Sequence, residues 1–431
     1  MSDSLPSLPP TTLRRVAPEH ARAAALARPD AALTKGVARI LSEVAREGEA
    51  AVRRWAEQLG DCAPGAPLYF SRGDLEAARD LVPAQHCALL ERTAARIRAF
   101  AEAQRACLRP LQLPCGEGSM GHELLPLEAV GCYAPGGRYP LPSSVLMTVL
   151  PARVAGVEQV WVASPRPTPV TLAAAAIAGA DGLLACGGAH ALAALANGIG
   201  PLPRVDFLCG PGNRWVTEAK RQLMGTVGID MLAGPSELLV LADASADPQE
   251  VAADLIAQAE HDEDARPILV SLDAALVPQV EAALNTQLAD LATAETARTA
   301  IARQGMAVVC ASLSEAIEVC NQIAPEHLEI RLTASAEQTA SQQLRHAGAI
   351  FRGTSGAEVL GDYGAGPNHV LPTGSSARLR GGLSVLDFLR VRTFLVLPSS
   401  AVTAQIAADA AALARLEGLE GHARAADRRA R

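Results

Sequence analysis

The sequence predicts an α/β protein built on parallel, doubly wound sheets. Three observations carry that reading. From Val130 the chain alternates short apolar runs with Ala-rich helical stretches, the βαβ texture that makes consecutive strands parallel. The alternation occurs twice, once up to about Ile229 and again from Leu238. Aromatic residues make up only 3% of the 431 residues although 49% are hydrophobic, so the cores must be built from Ala, Val, Leu and Ile, as suits small helices laid on a Val/Leu-rich sheet.

Taken in order, residues 20–60 and 72–108 read as amphipathic helices rich in Ala, Arg and Glu. Leu124-Leu125-Pro126 marks a junction. Strands of the first set are expected at Ala129–Cys132, Gln159–Ala163, Gly182–Ala185, Val205–Cys209 and Val227–Ile229. The helices between them include Ser143–Ala155, Pro169–Ala178 and Asn213–Met224. The second set has strands at Leu238–Leu241, Pro267–Ser271, Met306–Val309, Glu329–Arg331 and Ala349–Phe351, with helices over 248–262, 275–292, 313–322 and 334–346. From about residue 381 the chain reads as a helical tail ending at Gly418-Leu419-Glu420-Gly421-His422. Two α/β units in one chain leave a cleft between them, the usual place for a ligand.

Composition excludes several classes. The net charge is −8 and the only basic excess is the terminal Arg424–Arg431, which argues against nucleic acid. Nine cysteines, an odd number without a Cys-x-x-Cys pair, point to reduced thiols in the cytoplasm. The start, Met1-Ser2-Asp3-Ser4-Leu5-Pro6, is unlike a secretory signal, and the most apolar tract, Val170–Ala180, is too short to span a membrane.

The residues that promise chemistry cluster in the second half. Ala324-Pro325-Glu326-His327 and Gly361-Asp362-Tyr363-Gly364-Ala365-Gly366-Pro367-Asn368-His369 each place a carboxylate near an imidazole in loop-type sequence, as acid–base work near neutral pH requires. Gln258 and His261 are read on one face of a helix over Glu250–His261, where an i, i+3 pair can reach one ion. Together with Asp362 and His369 this is a nitrogen and oxygen set that suits zinc or manganese. Gly210-Pro211-Gly212-Asn213 ends a strand and opens a helix, so its amides can hold a phosphate or form a plain turn. Tyr133-Ala134-Pro135-Gly136-Gly137-Arg138-Tyr139-Pro140 is a second such loop, and no dinucleotide fingerprint of the GxGxxG type occurs.

These stretches, with Ile229-Asp230-Met231-Leu232-Ala233-Gly234-Pro235-Ser236-Glu237, Gln258-Ala259-Glu260-His261, Pro325-Glu326-His327-Leu328-Glu329, Gly366-Pro367-Asn368-His369-Val370-Leu371-Pro372-Thr373, and Glu417 with His422, resemble the histidinol dehydrogenase family in order and spacing from about residue 20 to the end. The resemblance implies two incomplete Rossmann-like domains with parallel sheets, the second inserted in the first, plus helical N- and C-terminal segments. The implied boundaries are 1–20 for the N-terminal segment, 21–129 with 238–380 for the first domain, 130–237 for the inserted one and 381–431 for the tail. It implies a zinc- and NAD-dependent oxidation of L-histidinol to L-histidine through L-histidinal. Glu326 and His327 match the acid–base pair. Gln258, His261, Asp362 and, from the second subunit of a homodimer, His422 match the zinc ligands. Ser143, Ser236, His327, His369 and Glu417, with the ligand residues, match the substrate site. Tyr133 and Asn213 match cofactor contacts, and His190 stands where the family has glutamine. Glu358 matches a family acidic residue ahead of the ligand Asp362. Two alternatives stand beside this reading: a paralogue oxidising another small alcohol such as sulfopropanediol, whose sulfonate would want a cation such as Arg138 or Arg352, and a non-catalytic zinc-binding protein.

Overall fold

A computed structural model describes residues 11–21, 31–136 and 140–430 of the chain. Residues 1–10 of the segment expected at 1–20, part of the first helical stretch, and Gly137, Arg138 and Tyr139 of the second Gly/Pro loop lie outside the described residues.

The chain opens with β1 (Arg14–Arg15), then runs through helices Ala31–Glu47 and Glu49–Gln58, β2 (Tyr69–Ser71), and helices Arg72–Arg79 and Ala84–Ala106. The two long helical stretches read from the sequence are each broken once, at Gly48 with φ 62° and ahead of Pro83. A hairpin follows, β3 (Leu111–Cys115) and β4 (Gly118–Pro126). Five strands then alternate with helices: β5 (Ala129–Tyr133), β6 (Gln159–Ala163), β7 (Gly182–Leu184), β8 (Phe207–Cys209) and β9 (Gly228–Ile229). Five more do the same: β10 (Glu237–Ala242), β11 (Arg266–Ser271), β12 (Met306–Val309), β13 (His327–Arg331) and β14 (Ala349–Phe351). β15 (Leu389–Val396) and helices Ala401–Leu416 and Glu420–Asp427 close the chain.

Two six-stranded sheets result. One has the order β2-β7-β6-β5-β8-β9, the other β1-β12-β11-β10-β13-β14. Counted from β5 and from β10, each contains the order 3-2-1-4-5 of a Rossmann unit without its sixth strand. Every pair is parallel except β2 with β7. Inner strands β10 and β11 are buried at every position, as a sheet covered by helices on both faces requires.

Two expectations are corrected. Residues 31–126 do not belong with the second sheet: β2 pairs with β7, and helices Ala31–Glu47 and Glu49–Gln58 bury Leu33, Val37, Ile40, Val52 and Trp55 against Gly188–Asn197. Their apolar stripes find an Ala-rich helix there, while of the described residues ahead of Ala129 only 11–21 pack on the second sheet. Residues 31–229 are thus an insertion between β1 and β10. The tail is also not wholly helical. β15 pairs antiparallel with β4, Arg392 facing Glu123, to make a third sheet with β3. No helix of the described residues is long and apolar enough to cross a membrane.

Candidate active site

A cleft of about 1200 Å³ opens between the two α/β units. One wall is made by the segments that leave the C-terminal ends of β5, β7 and β8, bringing Gly136, Gly187, Gly188 and Asn213 to its edge. His261 and Tyr363 come from the opposite unit. That unit presents the N-terminal ends of its strands, for β10 begins at Glu237 and β13 at His327.

The pair expected to do acid–base work, Glu326 and His327, is aimed by the backbone around it. Helix Leu313–Ile323 stops at Ala324, held in the left-handed region at φ 49°, and Pro325 then turns the chain so that Glu326 precedes β13 and His327 opens it. His327 is therefore in a strand and not in a loop. Both residues are buried. Glu326 Oε2 accepts the Glu237 amide at 2.9 Å. His327 Nδ1 lies 3.1 Å from the Glu237 carbonyl, and a carbonyl can only accept, so the ring proton sits on Nδ1 and Nε2 is left as the basic nitrogen. That Nε2 is 3.5 Å from Asp362 and has no hydrogen-bond partner among the described residues. Asp362 is in turn 3.7 Å from His261 Nε2.

Asp362 closes the short helix Glu358–Asp362, and the glycine-rich loop after it returns to His369. Gly364 has φ 92° and presses on helix Ala84–Ala106; a Cβ there would meet Thr93 Cγ2 at 2.2 Å. Arg96 donates to the Gly364 carbonyl at 2.7 Å. His369 Nδ1 donates to the Asp362 carbonyl at 3.0 Å, which leaves its buried Nε2 unpartnered.

Electrostatics follow from this crowding. Burial pushes the Glu326 carboxyl up to about 7. Burial likewise pushes Glu358 well above the usual carboxylate range. Burial opposes charge on His327, but Glu358 at 3.5 Å, Glu326 at 3.7 Å and Asp362 outweigh it and raise the imidazole well above its ordinary value. Burial works against the Asp362 carboxylate too, yet His327, His369 and His261 hold it below the usual value.

The same groups fit a cation. Ligand atoms of His261, Glu358 and Asp362 lie within 4.8 Å of one another. Gln258 is fully buried and, among the described residues, neither amide atom has a hydrogen-bond partner; it lies on helix Pro248–Ala259, which packs against helix Glu358–Asp362. A buried carboxamide without a partner beside carboxylates and an imidazole is the donor set of a hard-to-borderline divalent ion. The helical i, i+3 geometry expected for Gln258 and His261 is corrected. The helix ends at Ala259, and His261 follows its cap in a turn.

On the opposite wall, Asn213 caps helix Arg214–Leu223, its Oδ1 accepting the Trp215 and Val216 amides at 2.9 and 3.2 Å. Those first-turn amides are thus already satisfied, and the side chain's Nδ2 hydrogens are left for a ligand. The preceding Gly210 has φ 114° and passes so close to β5 that a Cβ would meet the Tyr133 carbonyl at 2.0 Å. Buried Lys220 pins this loop, reaching Asp230 at 2.6 Å and the Gly210 carbonyl at 2.5 Å. Tyr133 accepts the Gly188 amide at 3.2 Å, and burial pushes its hydroxyl up to about 12.

Of the residues singled out in the sequence, Tyr133, Ser143, His190, Asn213 and His261 line the cleft. Glu326, His327 and Asp362 form the continuous group behind His261. Ser236 immediately precedes Glu237, whose amide and carbonyl hold the acid–base pair. Glu417 and His422 are not brought there. Both are exposed, Glu417 in the turn between the two terminal helices and His422 on the last of them, and those helices pack chiefly on each other. Sequence reasoning missed Glu237 as a brace, Asp61 beside His190, and the set Asp254–Arg331–Glu329, in which Arg331 sits 3.2 and 3.1 Å from the two carboxylates and buried Glu329 accepts the Glu358 amide at 2.6 Å. None of these leaves a local motif, because each joins residues distant in the chain.

The histidinol dehydrogenase family model matches residues 26–430. A histidinol dehydrogenase of Cupriavidus pinatubonensis is 44% identical over 416 residues, covering 93% of this chain and 91% of the relative. One from Thermus thermophilus is 48% identical over 395 residues, covering 90% and 93%. The crystal structure of histidinol dehydrogenase from Elizabethkingia anophelis superposes with a TM-score of 0.89 at 29% identity, over 97% of this chain and 98% of that one.

Proposed function

The chain belongs to the histidinol dehydrogenase family, and on that premise we propose how its own residues carry the reaction. It is an NAD- and zinc-dependent enzyme of histidine biosynthesis that oxidises L-histidinol to L-histidine through L-histidinal. The observation that carries the assignment of roles is His327: a buried imidazole with Nδ1 tied to a carbonyl, Nε2 free, and Glu326 beside it.

When bound, NAD accepts the hydride of each half-reaction, and zinc supplies a fixed positive charge that holds the substrate nitrogens and offsets the carboxylates around His327. In the first half His327 Nε2 takes the hydroxyl proton as the carbinol hydrogen leaves as hydride. In the second half Glu326 takes a proton from the water that adds to the aldehyde, and the former carbonyl oxygen takes up the proton that His327 holds, which restores His327 as a base. His327 then takes a proton from the gem-diol as the second hydride departs. Gln258, His261 and Asp362 would hold the zinc, with Glu358 in the same cluster. Ser143, Ser236 and His369 would position substrate, and Tyr133, His190 and Asn213 the dinucleotide.

His422 and Glu417 enter through a homodimer, His422 of the partner subunit completing the zinc shell and Glu417 facing the substrate ammonium. Two features support this: the terminal helices stand apart from the core, and the β3–β4–β15 sheet and the tail leave Leu111, Val391, Leu395, Val402 and Leu413 exposed. A cytoplasmic location is supported by nine free cysteines. The test is NADH formation from L-histidinol and from sulfopropanediol, with and without chelator. Two NADH per histidinol, lost on chelation, is the expected result. A zinc-loaded protein inert toward histidinol would refute the assignment.

A further inference from the structure

Helix Pro142–Ala155 carries a proline inside it, Pro151. Proline has no amide hydrogen, so the carbonyl four residues back, that of Met147, loses its ordinary helical donor. A donor arrives from the other unit. Asn368 Nδ2 donates to the Met147 carbonyl at 2.6 Å, across 221 positions of chain. The other side of the carboxamide fixes its orientation. Oδ1 accepts the Val370 amide at 2.9 Å, and an amide can only donate, so the nitrogen is the end left for the carbonyl. Asn368 immediately precedes His369, whose Nδ1 donates to the Asp362 carbonyl at 3.0 Å. The loop between Asp362 and Asn368 is gripped a second time, where Arg96 of helix Ala84–Ala106 donates to the Gly364 carbonyl at 2.7 Å. Both anchors belong to the inserted unit, whereas the loop follows β13 and β14 of the other.

The place of the Met147 anchor gives the contact its meaning. Ser143 stands one turn earlier on the same face of the helix and lines the cleft, as does Leu146. We infer that Asn368 is a positioning residue for the substrate: by taking the carbonyl that Pro151 leaves without a helical donor, it sets His369 of one unit against Ser143 of the other. The inference rests on the proposed substrate roles of Ser143 and His369 and adds the device that fixes their separation. A substrate held from both walls binds best when that separation is set beforehand; otherwise part of the interaction energy goes into ordering the loop. It also gives a reason for a proline at this buried position of a helix. An amide at residue 151 would already occupy the carbonyl that the loop uses.

The test measures direct binding of L-histidinol and of NAD to the zinc-loaded protein by calorimetry, together with KM and kcat. Asn368→Asp keeps the size and an oxygen for the Val370 amide but has no donor for the Met147 carbonyl. It should weaken histidinol binding about five- to tenfold, the worth of one hydrogen bond, and leave NAD binding unchanged. The histidinol KM should rise by the same factor, with a smaller change in kcat. In a Pro151→Ala background the helix has its own amide for that carbonyl, so Asn368→Asp should there weaken histidinol binding by less than about twofold. Asn368→Ser, uncharged and too short to reach Met147, should show the same split between the two ligands as Asn368→Asp. Unchanged histidinol binding in both single variants would overturn the inference. So would equal weakening of both ligands, the mark of a generally loosened fold, or an equal effect of Asn368→Asp in the two backgrounds. If Asn368→Asp or the double variant does not fold, the Asn368→Ser result decides by the same criterion. A wild-type protein that binds NAD but neither binds nor oxidises histidinol would instead refute the substrate reading of the cleft.

Discussion

Glu326→Gln separates the two halves of the reaction. In the mechanism above the first half needs a base for the alcohol proton, which is His327, and only the second consumes water, which is activated by Glu326. Gln has the same shape, and its oxygen can still accept the Glu237 amide that Glu326 accepts at 2.9 Å, so the local fold should survive. Loss of a general base lowers a rate by about 10²–10⁴-fold, and that loss should fall on the aldehyde-to-acid half. The pH profile sharpens the test. Burial pushes the Glu326 carboxyl up to about 7. The working form is the carboxylate: ~one tenth of the groups are ionised at pH 6 and ~nine tenths at pH 8, so Glu326 contributes a roughly ninefold rise that the variant should lose, leaving only the rise due to His327. The alcohol half should instead shift its acid limb to lower pH, because Glu326 is one of the carboxylates that raise His327. The assay feeds L-histidinal for the second half and follows single-turnover NADH from L-histidinol for the first. Equal slowing of both halves, or a pH profile identical to that of the wild type, would mean that Glu326 positions groups and does not activate water.

Four further outcomes are expected. His327→Asn should lower turnover about 10²–10⁴-fold with an unchanged far-UV spectrum, and retention of half the wild-type rate would remove it from the mechanism. Arg331→Met leaves buried Glu329 and part-buried Asp254 without their cation and should cost about 3–5 kcal/mol in urea unfolding; a loss below about 1 kcal/mol would show the set to be hydrated. Gly364→Ala, at φ 92° and 2.2 Å from Thr93 Cγ2, should weaken zinc retention, and adding Thr93→Ala should recover part of it; no recovery would place the fault in the backbone strain alone. Co-expressed His327→Asn and His422→Ala chains should regain up to about a quarter of wild-type activity through mixed dimers with one intact site, whereas background activity in a verified mixed dimer would assign His422 to its own subunit.

Most strands of the two large sheets were legible because each is a short apolar run bounded by turn residues and followed by a helix, a local pattern that needs no knowledge of the partner strand. The β3–β4–β15 sheet was not. β15 pairs Arg392 with Glu123 across 269 positions, and its residues alternate too weakly to stand out from a helical tail. The placement of residues 31–126 was equally hidden, since an amphipathic stripe such as Val37, Ile40 and Val44 says that a helix is buried but not against what. At the site, residues adjacent in sequence, such as Glu326 and His327, announced themselves. Asp61 and Glu237 meet their histidines, 129 and 90 positions away, through a carboxylate and a backbone carbonyl. No spacing rule reaches that far.

Sharing the order 3-2-1-4-5 does not give the two sheets the same use. The rule for open α/β sheets puts ligands beyond the C-terminal ends of the strands, where the order reverses. In the β2, β5–β9 sheet that crevice is open, between the loops after β5 and β8. In the other sheet the corresponding place, beyond β10 and β13, is closed by the chain itself: Asp243 accepts the Thr333 amide at 2.9 Å and the Ser245 amide at 2.9 Å. A carboxylate there takes up the donors that an anionic ligand would need. That sheet contributes through its opposite end, where the starts of β10 and β13 hold Glu237 and His327. On the proposed reading one unit thus offers a crevice for a dinucleotide and the other offers proton-transfer groups. The cleft between them is where a hydride acceptor and a base can meet the same carbon, which neither unit could arrange alone.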